Sequence, residues 1–316
     1  MKARIKSIQY YLPEAILSNQ ALELAFPEFS AEKILAKTGI QMRHISAVGE
    51  SSSDMAVKVA ETLFASGVIS KEQIDFLLFC TQTPYSLLPT NACMLQERLG
   101  LNNALGALDF NLGCSGFVYG LSLAKGLIES RQASNVLLLT ADTYTKLIEA
   151  TDKSVRTIFG DGAAATLISG VESEATGISP IAYGTDGRGA KNLCMSKGYL
   201  RMNGPEIFEF TLDVVPKIIA QALQKARFDF QDIELFVFHQ ANAYMLEHLR
   251  KKLQIPIEKF WVAMDFCGNT VSSSIPIALR EAANAGVLSQ KIKVMLVGFG
   301  VGYSWAATIV DLSHFI

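Results

Sequence analysis

The stretch GALDFNLGCSGFVYGLSLAKGLI, residues 106–128, combines a short apolar segment, a glycine-rich turn and a helical pattern. After the turn, apolar side chains recur at helical spacing, at Phe117, Leu121, Ala124 and Ile128. This spacing predicts a helix with one apolar stripe. The segment before the turn is short and lacks the helical period, which favours a buried strand. The stretch therefore predicts a strand, a sharp turn and a helix that packs on a sheet.

The same order of blocks occurs twice along the chain. The first copy comprises residues 73–84, 106–128, 135–143 and 158–169, and the second comprises residues 232–242, 261–286, 292–300 and 301–310. Paired blocks keep a nearly constant offset, which chance rarely produces. Short blocks rich in Val, Ile, Leu and Phe alternate with helical patterns, as strands buried on both faces and their crossover helices do.

This duplication predicts an α/β protein with mixed sheets, built from two similar halves. We expect the halves to be residues 1–170 and 171–316, with the seam near residues 170–177. Only the first half carries the extra stretch 144–157. Loops that one copy adds to a scaffold often bind ligands or partners, so this stretch is a candidate for binding or dimer contact.

The composition excludes several classes of protein. Of 316 residues, 50% are hydrophobic and 18% are charged, which excludes a disordered, collagen-like or coiled-coil chain. A formal net charge of -2 provides no global field for a polyanion, so nucleic acid is not expected as a partner. The start, MKARIKSIQYYLP, does not resemble a signal peptide, and no apolar run is long enough to span a bilayer. We expect a cytoplasmic protein without membrane insertion.

The cysteines are too scattered for a disulfide framework or a zinc site, and a reducing compartment suits them. They are Cys80, Cys93, Cys114, Cys194 and Cys267. Cys114 differs from the rest because it lies where a strand meets a helix. The N–H groups and partial positive charge of a helix N-terminus should lower its pKa and make it a nucleophile. Gly113 and Gly116 would permit the sharp turn. The other cysteines are expected to be small buried hydrophobes.

Two polar residues occupy matching turns of the duplicate. His239 ends the apolar block IELFVF and aligns with Cys80, and Asn269 aligns with Cys114. When duplicated halves carry different polar residues at matching turns, those turns are expected to line a common cleft. A histidine is often structural, but its place at a buried strand end opposite the cysteine turn favours function.

Six short motifs along the chain extend the interpretation of Cys114, His239 and Asn269 as functional residues. They are GCSGF around Cys114, HQAN from His239, GNT from Gly268, TGI with RHI in residues 38–45, FGDGA from Phe159 and GFGVG from Gly298. Together they resemble ketoacyl synthase III, the initiating condensing enzyme of the thiolase superfamily, over essentially the whole chain. The resemblance implies a thiolase-like five-layered αβαβα fold, a homodimer and a Cys–His–Asn catalytic set on Cys114, His239 and Asn269.

The resemblance also implies a reaction. The Cys114 thiolate would take an acyl group from a thioester, and backbone N–H groups of Cys114 and Val301 would form the oxyanion hole. His239 and Asn269 would donate hydrogen bonds to a malonyl thioester, which loses carbon dioxide and attacks the acyl-cysteine. The implied substrates are thioesters of coenzyme A or of the phosphopantetheine on an acyl carrier protein. No metal or bound cofactor is expected.

Two stretches allow more than one interpretation. The basic run Arg250, Lys251 and Lys252 is either a docking patch for an acidic acyl carrier protein or a solvated helix end. Gly160 and Gly162 begin a G-x-G-x-x-A match, but the residues that follow them are strand-like. A dinucleotide site needs a helix there, so nucleotide binding is not expected.

The chain also departs from the family pattern. Lys33 replaces the tryptophan that commonly stacks on the adenine of coenzyme A, and Lys153 replaces the matching arginine. Leu88 stands where a phenylalanine is often contributed across the dimer to the acyl pocket. These changes predict a poor acetyl-CoA enzyme that prefers a larger acyl group. Two alternatives are an acyltransferase that passes the acyl group from cysteine to an alcohol or amine, and a noncatalytic partner in a heterodimeric synthase.

Overall fold

The computed structural model describes residues 1–172, 177–290 and 293–313, together with residue 315. Its strands are β1 (Lys2–Tyr11), β2 (Ala15–Ser18), β3 (Met42–Ile45), β4 (Phe76–Cys80), β5 (Gly106–Phe110), β6 (Asn135–Asp142), β7 (Gly162–Val171), β8 (Ala182–Thr185), β9 (Leu193–Ser196), β10 (Tyr199–Met202), β11 (Leu235–Phe238), β12 (Phe260–Trp261), β13 (Lys293–Gly300) and β14 (Ser304–Asp311). Its α-helices are α1 (Asn19–Ala25), α2 (Ala31–Thr38), α3 (Ser52–Ala65), α4 (Asn91–Arg98), α5 (Gly116–Glu129), α6 (Lys153–Arg156), α7 (Gly204–Ala226), α8 (Ala243–Lys252) and α9 (Ser274–Asn284).

Two five-stranded sheets share one strand order. The first runs β5-β4-β6-β7-β1 and the second β12-β11-β13-β14-β8. In each sheet the first three strands are parallel, and the last two are antiparallel to their neighbours. This equivalence confirms the expected α/β fold from two duplicated halves. The seam predicted near residues 170–177 falls partly on residues 173–176, which lie outside the described residues, so the boundary stays a prediction.

The central strands are buried on both faces, as their apolar composition predicts. In β6, Val136 and Leu138 belong to the core between the sheets, whereas Leu137 and Leu139 belong to the core on the outer face. All four side chains are fully buried. Side chains alternate between the two faces of a strand, so a strand covered on both sides must be apolar at every position.

Helices α5 and α9 form the middle layer. Helix α5 packs against β1, β6 and β7 of the first sheet and against β13 and β14 of the second. Helix α9 packs against β1 and β11. The stripe Phe117, Leu121, Ala124 and Ile128 is fully buried in this layer, as its spacing predicts.

Two further helical layers cover the outer faces. Helices α3 and α4 cover the first sheet, and α7 covers the second, with α8 packed on α7. The five-layered αβαβα arrangement is therefore confirmed. Among the described residues, no helix is long and apolar enough to cross a membrane.

Candidate active site

Cys114 lies in the turn between β5 and α5 and is only 4% exposed. The N–H of Gly116 donates to the carbonyl of Gly113 at 2.7 Å and closes this turn. A Cβ at Gly113 would lie 2.4 Å from Gln82 Oε1, and one at Gly116 would lie 2.4 Å from Cys80 Sγ. Neither glycine has a positive φ. Glycine is required here because neighbouring side chains approach the backbone closely, not because the turn is left-handed.

The end of β13 surrounds the sulfur from the other side. A Cβ on Gly300 would stand 2.8 Å from both Cβ and Sγ of Cys114. The backbone N–H groups of Val301 and of Cys114 itself lie close enough to the sulfur to lower the pKa of the thiol. The two N–H groups that were expected to form an oxyanion hole therefore meet at the thiol.

The electrostatics of Cys114 differ from the expectation. Burial raises the pKa of the Cys114 thiol to about 12, and the Asp142 carboxyl adds to that rise. The N–H groups of Val301 and Cys114 lower the pKa and offset the rise only in part. The expected lowered pKa is therefore wrong, because removal of water from the sulfur outweighs its hydrogen bonds.

Asp142 is a buried carboxyl next to this turn that the sequence interpretation missed. It ends β6 and accepts hydrogen bonds from the backbone N–H of Gln82 at 2.8 Å and from Ser272 Oγ. Burial raises its pKa to about 7. Through these contacts Asp142 joins the ends of β4 and β6 to the segment that follows Asn269. An acidic residue at the end of an apolar strand is the only sequence signal for it.

His239 follows β11 and is 2% exposed. Its backbone N–H donates to the Val297 carbonyl at 2.8 Å, so β11 and β13 remain paired up to this residue. Burial lowers the pKa of the ring to about 3, which keeps it neutral at physiological pH. The ring packs edge-on against Phe299 at 5.6 Å between centroids, and the next residue is Gly300. The end of β13 thus contacts both the histidine and the cysteine.

The Asn269 side chain lies beside the histidine ring with a defined orientation. Its Oδ1 accepts a hydrogen bond from the backbone N–H of Val271 at 3.0 Å. Its Nδ2 lies 3.4 Å from His239 Nε2 and 3.5 Å from the Ala241 carbonyl oxygen. Folding therefore brings His239 and Asn269 together.

The FGDG and RHI motifs hold this asparagine in place. The N–H of Asn269 donates to the Ile158 carbonyl at 3.0 Å, and the N–H of Gly160 donates to the Asn269 carbonyl at 3.1 Å. Arg43, which is fully buried, donates from Nε to the Thr157 carbonyl at 3.0 Å. The glycines after Phe159 lead into β7, so the strand predicted after the G-x-G-x-x-A match is present. The motif has a structural role beside Asn269.

Two further side chains border the cysteine. Tyr144 is 3% exposed, shares an apolar cluster with Cys114 and Phe159, and lies 5.2 Å from the Phe159 ring. Its hydroxyl pairs with Gln82 Oε1. Tyr144 begins the stretch 144–157 that was expected to be a binding or dimer loop. Gln82 was missed, and its only signal is a polar residue just after β4.

The other predicted substrate residues lie at the surface. Leu88 is 89% exposed. Lys33 is exposed on α2. The Lys153 ammonium forms an ion pair with Glu28 at 2.6 Å. In the part of the chain that the structure describes, no hydrogen bond or ion pair joins these side chains to the cysteine turn.

The three basic side chains at the end of α8 differ in their exposure to solvent and in their partners. The Arg250 guanidinium binds Glu247 at 2.7 and 2.8 Å and the Ile255 carbonyl at 3.0 Å, and it is 18% exposed. Lys251 is 69% exposed and lies 3.3 Å from Glu247. Lys252 is exposed as well. Arg250 is therefore held within the helix end, and the two lysines present charge to solvent.

No group of three or more His, Cys, Asp or Glu side chains among the described residues is placed to hold a metal ion. All five cysteines are free; Cys80 and Cys267 are buried as expected, but Cys93 is exposed and Cys194 is half-buried, so the expected burial is wrong for these two. What remains is a buried thiol with two backbone N–H groups near it, and a neutral imidazole with an oriented amide beside it; the end of β13 adjoins both the thiol and the imidazole. Such groups can form an acyl-thioester and stabilise negative charge on a carbonyl oxygen.

Known proteins match both the sequence and this architecture. Residues 108–187 match the family model of 3-oxoacyl-[acyl-carrier-protein] synthase III, and residues 223–312 match the model of its C-terminal region. The chain is 36% identical to β-ketoacyl-[acyl-carrier-protein] synthase III of Clostridium perfringens, over 98% of this chain and 99% of that one. It is 37% identical to the same-named protein of Lactococcus lactis, also over 98% and 99%.

A crystal structure of a 3-oxoacyl-(acyl-carrier-protein) synthase III superposes with a TM-score of 0.97 at 48% identity, covering 98% of this chain and 100% of that one. Sequence and structure agree along nearly the full length. The chain therefore belongs to the 3-oxoacyl-[acyl-carrier-protein] synthase III family.

Proposed function

We propose that this protein is a condensing acyltransferase that joins an acyl group to a malonyl unit in fatty acid biosynthesis or a related pathway. The acyl group would be carried on Cys114, and the malonyl unit would arrive on an acyl carrier protein. The observation that carries the proposal is the neutral His239 and oriented Asn269 amide, which lie beside the same strand end as the cysteine. The names of the relatives support the same activity.

The first half-reaction uses the thiol. Cys114 Sγ attacks the thioester carbonyl, the new sulfur–carbon bond forms, and the coenzyme A or carrier thiol leaves with the proton. The N–H groups of Cys114 and Val301 stabilise the negative oxygen of the tetrahedral intermediate. Their proximity to the sulfur supports this role.

The second half-reaction uses the donor pair. A malonyl thioester binds with its carbonyl oxygen between His239 and Asn269, and its carboxylate leaves as carbon dioxide. The electron pair of the broken bond forms an enolate, whose oxygen both residues stabilise. The enolate carbon then attacks the acyl-cysteine. A carbon–carbon bond forms, the β-ketoacyl thioester leaves, and the thiolate takes up a proton to restore the thiol.

Simple acyl transfer to an alcohol or amine is a weaker candidate. That reaction needs the cysteine and its N–H donors, but it does not need a second pair of donors for an enolate. The chain keeps Cys114, His239 and Asn269, and each is buried, which supports a catalytic subunit over a noncatalytic partner. Both alternatives have distinct outcomes in the experiment below.

We assign carrier docking to Lys251 and Lys252, with Arg250 in a supporting role within the helix end. Exposed lysines attract an acidic carrier at a distance, which favours encounter. For the acyl donor, Lys33 in place of an aromatic ring should weaken the binding of free acyl-CoA, and Leu88 in place of a bulky ring should leave room for a group larger than acetyl. Such a group could be delivered on a carrier protein. No metal or resident cofactor has a part in the steps above.

We further propose a homodimer formed along β5. Strand β5 is an edge strand of the first sheet, with no strand paired to its outer side among the described residues. Leu108 on this strand is 44% exposed. Phe110, Leu112, Tyr119 and Tyr183 line an apolar surface pocket nearby. An unpaired strand edge beside apolar surface is a favourable site for association.

The five free cysteines suit a reducing compartment. One of them is the proposed nucleophile, which must stay unpaired to react. We therefore assign the protein to the cytoplasm. Fractionation of cells that express it would test this, and recovery outside the cytoplasm would contradict it.

Intact-protein mass spectrometry tests the proposed activity. The wild type is incubated with acetyl-, butyryl- and octanoyl-thioesters of coenzyme A and of carrier protein, and malonyl carrier is then added. We expect one acyl adduct that malonyl carrier discharges as a β-ketoacyl carrier. Cys114→Ala should give no adduct, whereas Cys93→Ala, which alters an exposed cysteine, should react normally.

Two outcomes would contradict the proposal. An adduct of unchanged stoichiometry on Cys114→Ala would show that another residue is the nucleophile. An adduct that malonyl carrier never discharges would favour simple acyl transfer over condensation.

A further inference from the structure

A buried serine lies behind the histidine, and the mechanism above does not use it. Ser274 is the first residue of α9 and is 2% exposed. Its Oγ lies 2.7 Å from His239 Nδ1, the ring nitrogen that faces away from Asn269. The same oxygen lies 3.3 Å from the backbone nitrogen of Gln240. The hydroxyl is therefore shared by the histidine ring and the next residue of the chain.

The direction of each hydrogen bond follows from what these groups can do. A backbone N–H only donates, so Ser274 Oγ accepts from Gln240. The hydroxyl has one hydrogen, and among the described residues the only other group within hydrogen-bond distance is His239 Nδ1. If Nδ1 carried the proton, the buried hydroxyl hydrogen would have no acceptor, and a buried donor without a partner is unfavourable. Donation from Ser274 to Nδ1 satisfies every group.

An accepting Nδ1 places the single proton of the neutral ring on Nε2. Asn269 Oδ1 is already bound to the Val271 N–H, so Nδ2 is the part of the amide that faces His239. Two N–H donors then lie with their nitrogens 3.4 Å apart. Neither can accept from the other. One hydrogen of Asn269 Nδ2 faces the Ala241 carbonyl oxygen, and its second hydrogen and the His239 Nε2–H can both be donated to one shared acceptor, such as a substrate oxygen.

The opposite tautomer would remove this arrangement. With the proton on Nδ1, Nε2 would accept a hydrogen bond from Asn269 Nδ2, and the two groups would satisfy each other. A substrate oxygen would then find one donor occupied and a lone pair in place of the other. The tautomer therefore decides whether His239 and Asn269 both offer a donor to the substrate or are hydrogen-bonded to each other.

We propose that Ser274 is a positioning residue that holds His239 in the Nε2–H tautomer and so keeps both donors available to the malonyl carbonyl oxygen. Its role in catalysis rests on the proposed function, because it acts through His239. The tautomer itself does not rest on that function.

The chain offers a matched control for a variant of Ser274. Ser273 is equally buried, and its hydroxyl pairs with Thr140 Oγ1 at 2.9 Å and lies 3.1 Å from the Thr140 carbonyl. It makes no hydrogen bond to the histidine within the described structure. Ser273→Ala therefore removes a buried hydroxyl next to Ser274 without touching the ring.

The test combines a spectroscopic and a kinetic readout. In protein labelled with 15N-histidine, the two ring nitrogens resonate in separate regions according to which one carries the proton, and His239→Ala identifies the signals. We expect the Nε2–H form in wild type, Ser273→Ala and Ser274→Thr, and a shift towards the other form in Ser274→Ala. Decarboxylation of malonyl carrier should fall about 10²-fold in Ser274→Ala, as for loss of one oxyanion donor. Acylation of Cys114 should stay within about threefold, since that step uses other donors.

Several results would overturn the inference. A wild-type ring protonated on Nδ1, or an unchanged tautomer in Ser274→Ala, would exclude the role of Ser274. An equal loss of decarboxylation in Ser273→Ala would show a general packing effect. If the wild type shows the Nε2–H form but never decarboxylates malonyl carrier, the tautomer assignment stands and the proposed function fails. If Ser274→Ala does not fold, the wild-type and Ser274→Thr spectra still decide the tautomer.

Discussion

Gly300→Ala is the sharpest probe of the cysteine site. Gly300 ends β13 and pairs with Ser304 in ordinary strand geometry, so alanine introduces no backbone strain. The new Cβ would stand 2.8 Å from Cys114 Cβ and Sγ, and ordinary contacts begin near 3.4 Å. The sulfur, or the loop that carries the Val301 N–H, must therefore move by about 0.6 Å to restore an ordinary contact.

A displacement of this size should slow acylation strongly. Misplacement by about 1 Å can cost about 10²-fold in rate, and loss of one oxyanion donor costs about 2.7–4 kcal/mol of activation free energy. We expect acylation of Cys114 to slow about 10²-fold in Gly300→Ala. Decarboxylation of malonyl carrier should change less than about threefold, because the atoms that the new Cβ would contact belong to Cys114 and not to His239 or Asn269.

Intact-protein mass spectrometry over time measures the acylation rate, and release of carbon dioxide measures the other half-reaction. Val301→Ala is the matched control, since it shortens the side chain but keeps the backbone N–H. A thermal melt shows whether each variant remains folded. Acylation of Gly300→Ala at the wild-type rate, or an equal loss in Val301→Ala, would refute the role of this close approach.

Three further predictions concern the thiol, the carrier and the dimer. Burial raises the pKa of Cys114 to about 12, and only the thiolate reacts with iodoacetamide. Alkylation of Cys114, measured by peptide mass spectrometry, should therefore rise about tenfold per pH unit through pH 9. A plateau of the alkylation rate below about pH 8 would contradict this. Replacement of Lys251 and Lys252 by glutamate should weaken the use of carrier-bound substrate at low salt but spare small thioesters, and equal kinetics with both substrates would exclude docking there. Leu108→Asp on the β5 edge should give monomers in sedimentation velocity, and a wild-type protein that is itself monomeric would exclude the dimer.

Much of the fold follows from patterns that are local in sequence. The duplicated order of apolar blocks and helical patterns predicts two similar sheets, because strands buried on both faces leave an apolar signal at each position. The stripe from Phe117 to Ile128 predicts the buried face of α5, and the structure agrees. The cysteine turn could be placed for the same reason, since a strand, a glycine-rich turn and a helix are adjacent in the chain. The halves meeting at residue 170 stay a prediction.

The chemistry of the site depends on contacts between distant residues. Asp142 and Ser272 are 130 positions apart, and Ser274 lies 35 positions from His239. No local pattern indicates that such pairs meet, so these partners of the site were missed.

The raised pKa of Cys114, which is opposite in direction to the shift expected from the sequence, has a similar origin. A helix N-terminus can be recognised in the sequence, and its charge favours the thiolate. How much water the surrounding loops exclude is decided only when Gly300 and Val301 close over the sulfur. A motif can thus identify the nucleophile and the polar residues beside it. Desolvation and the direction of each hydrogen bond are properties of the packed tertiary structure, because they depend on every side chain that surrounds a group.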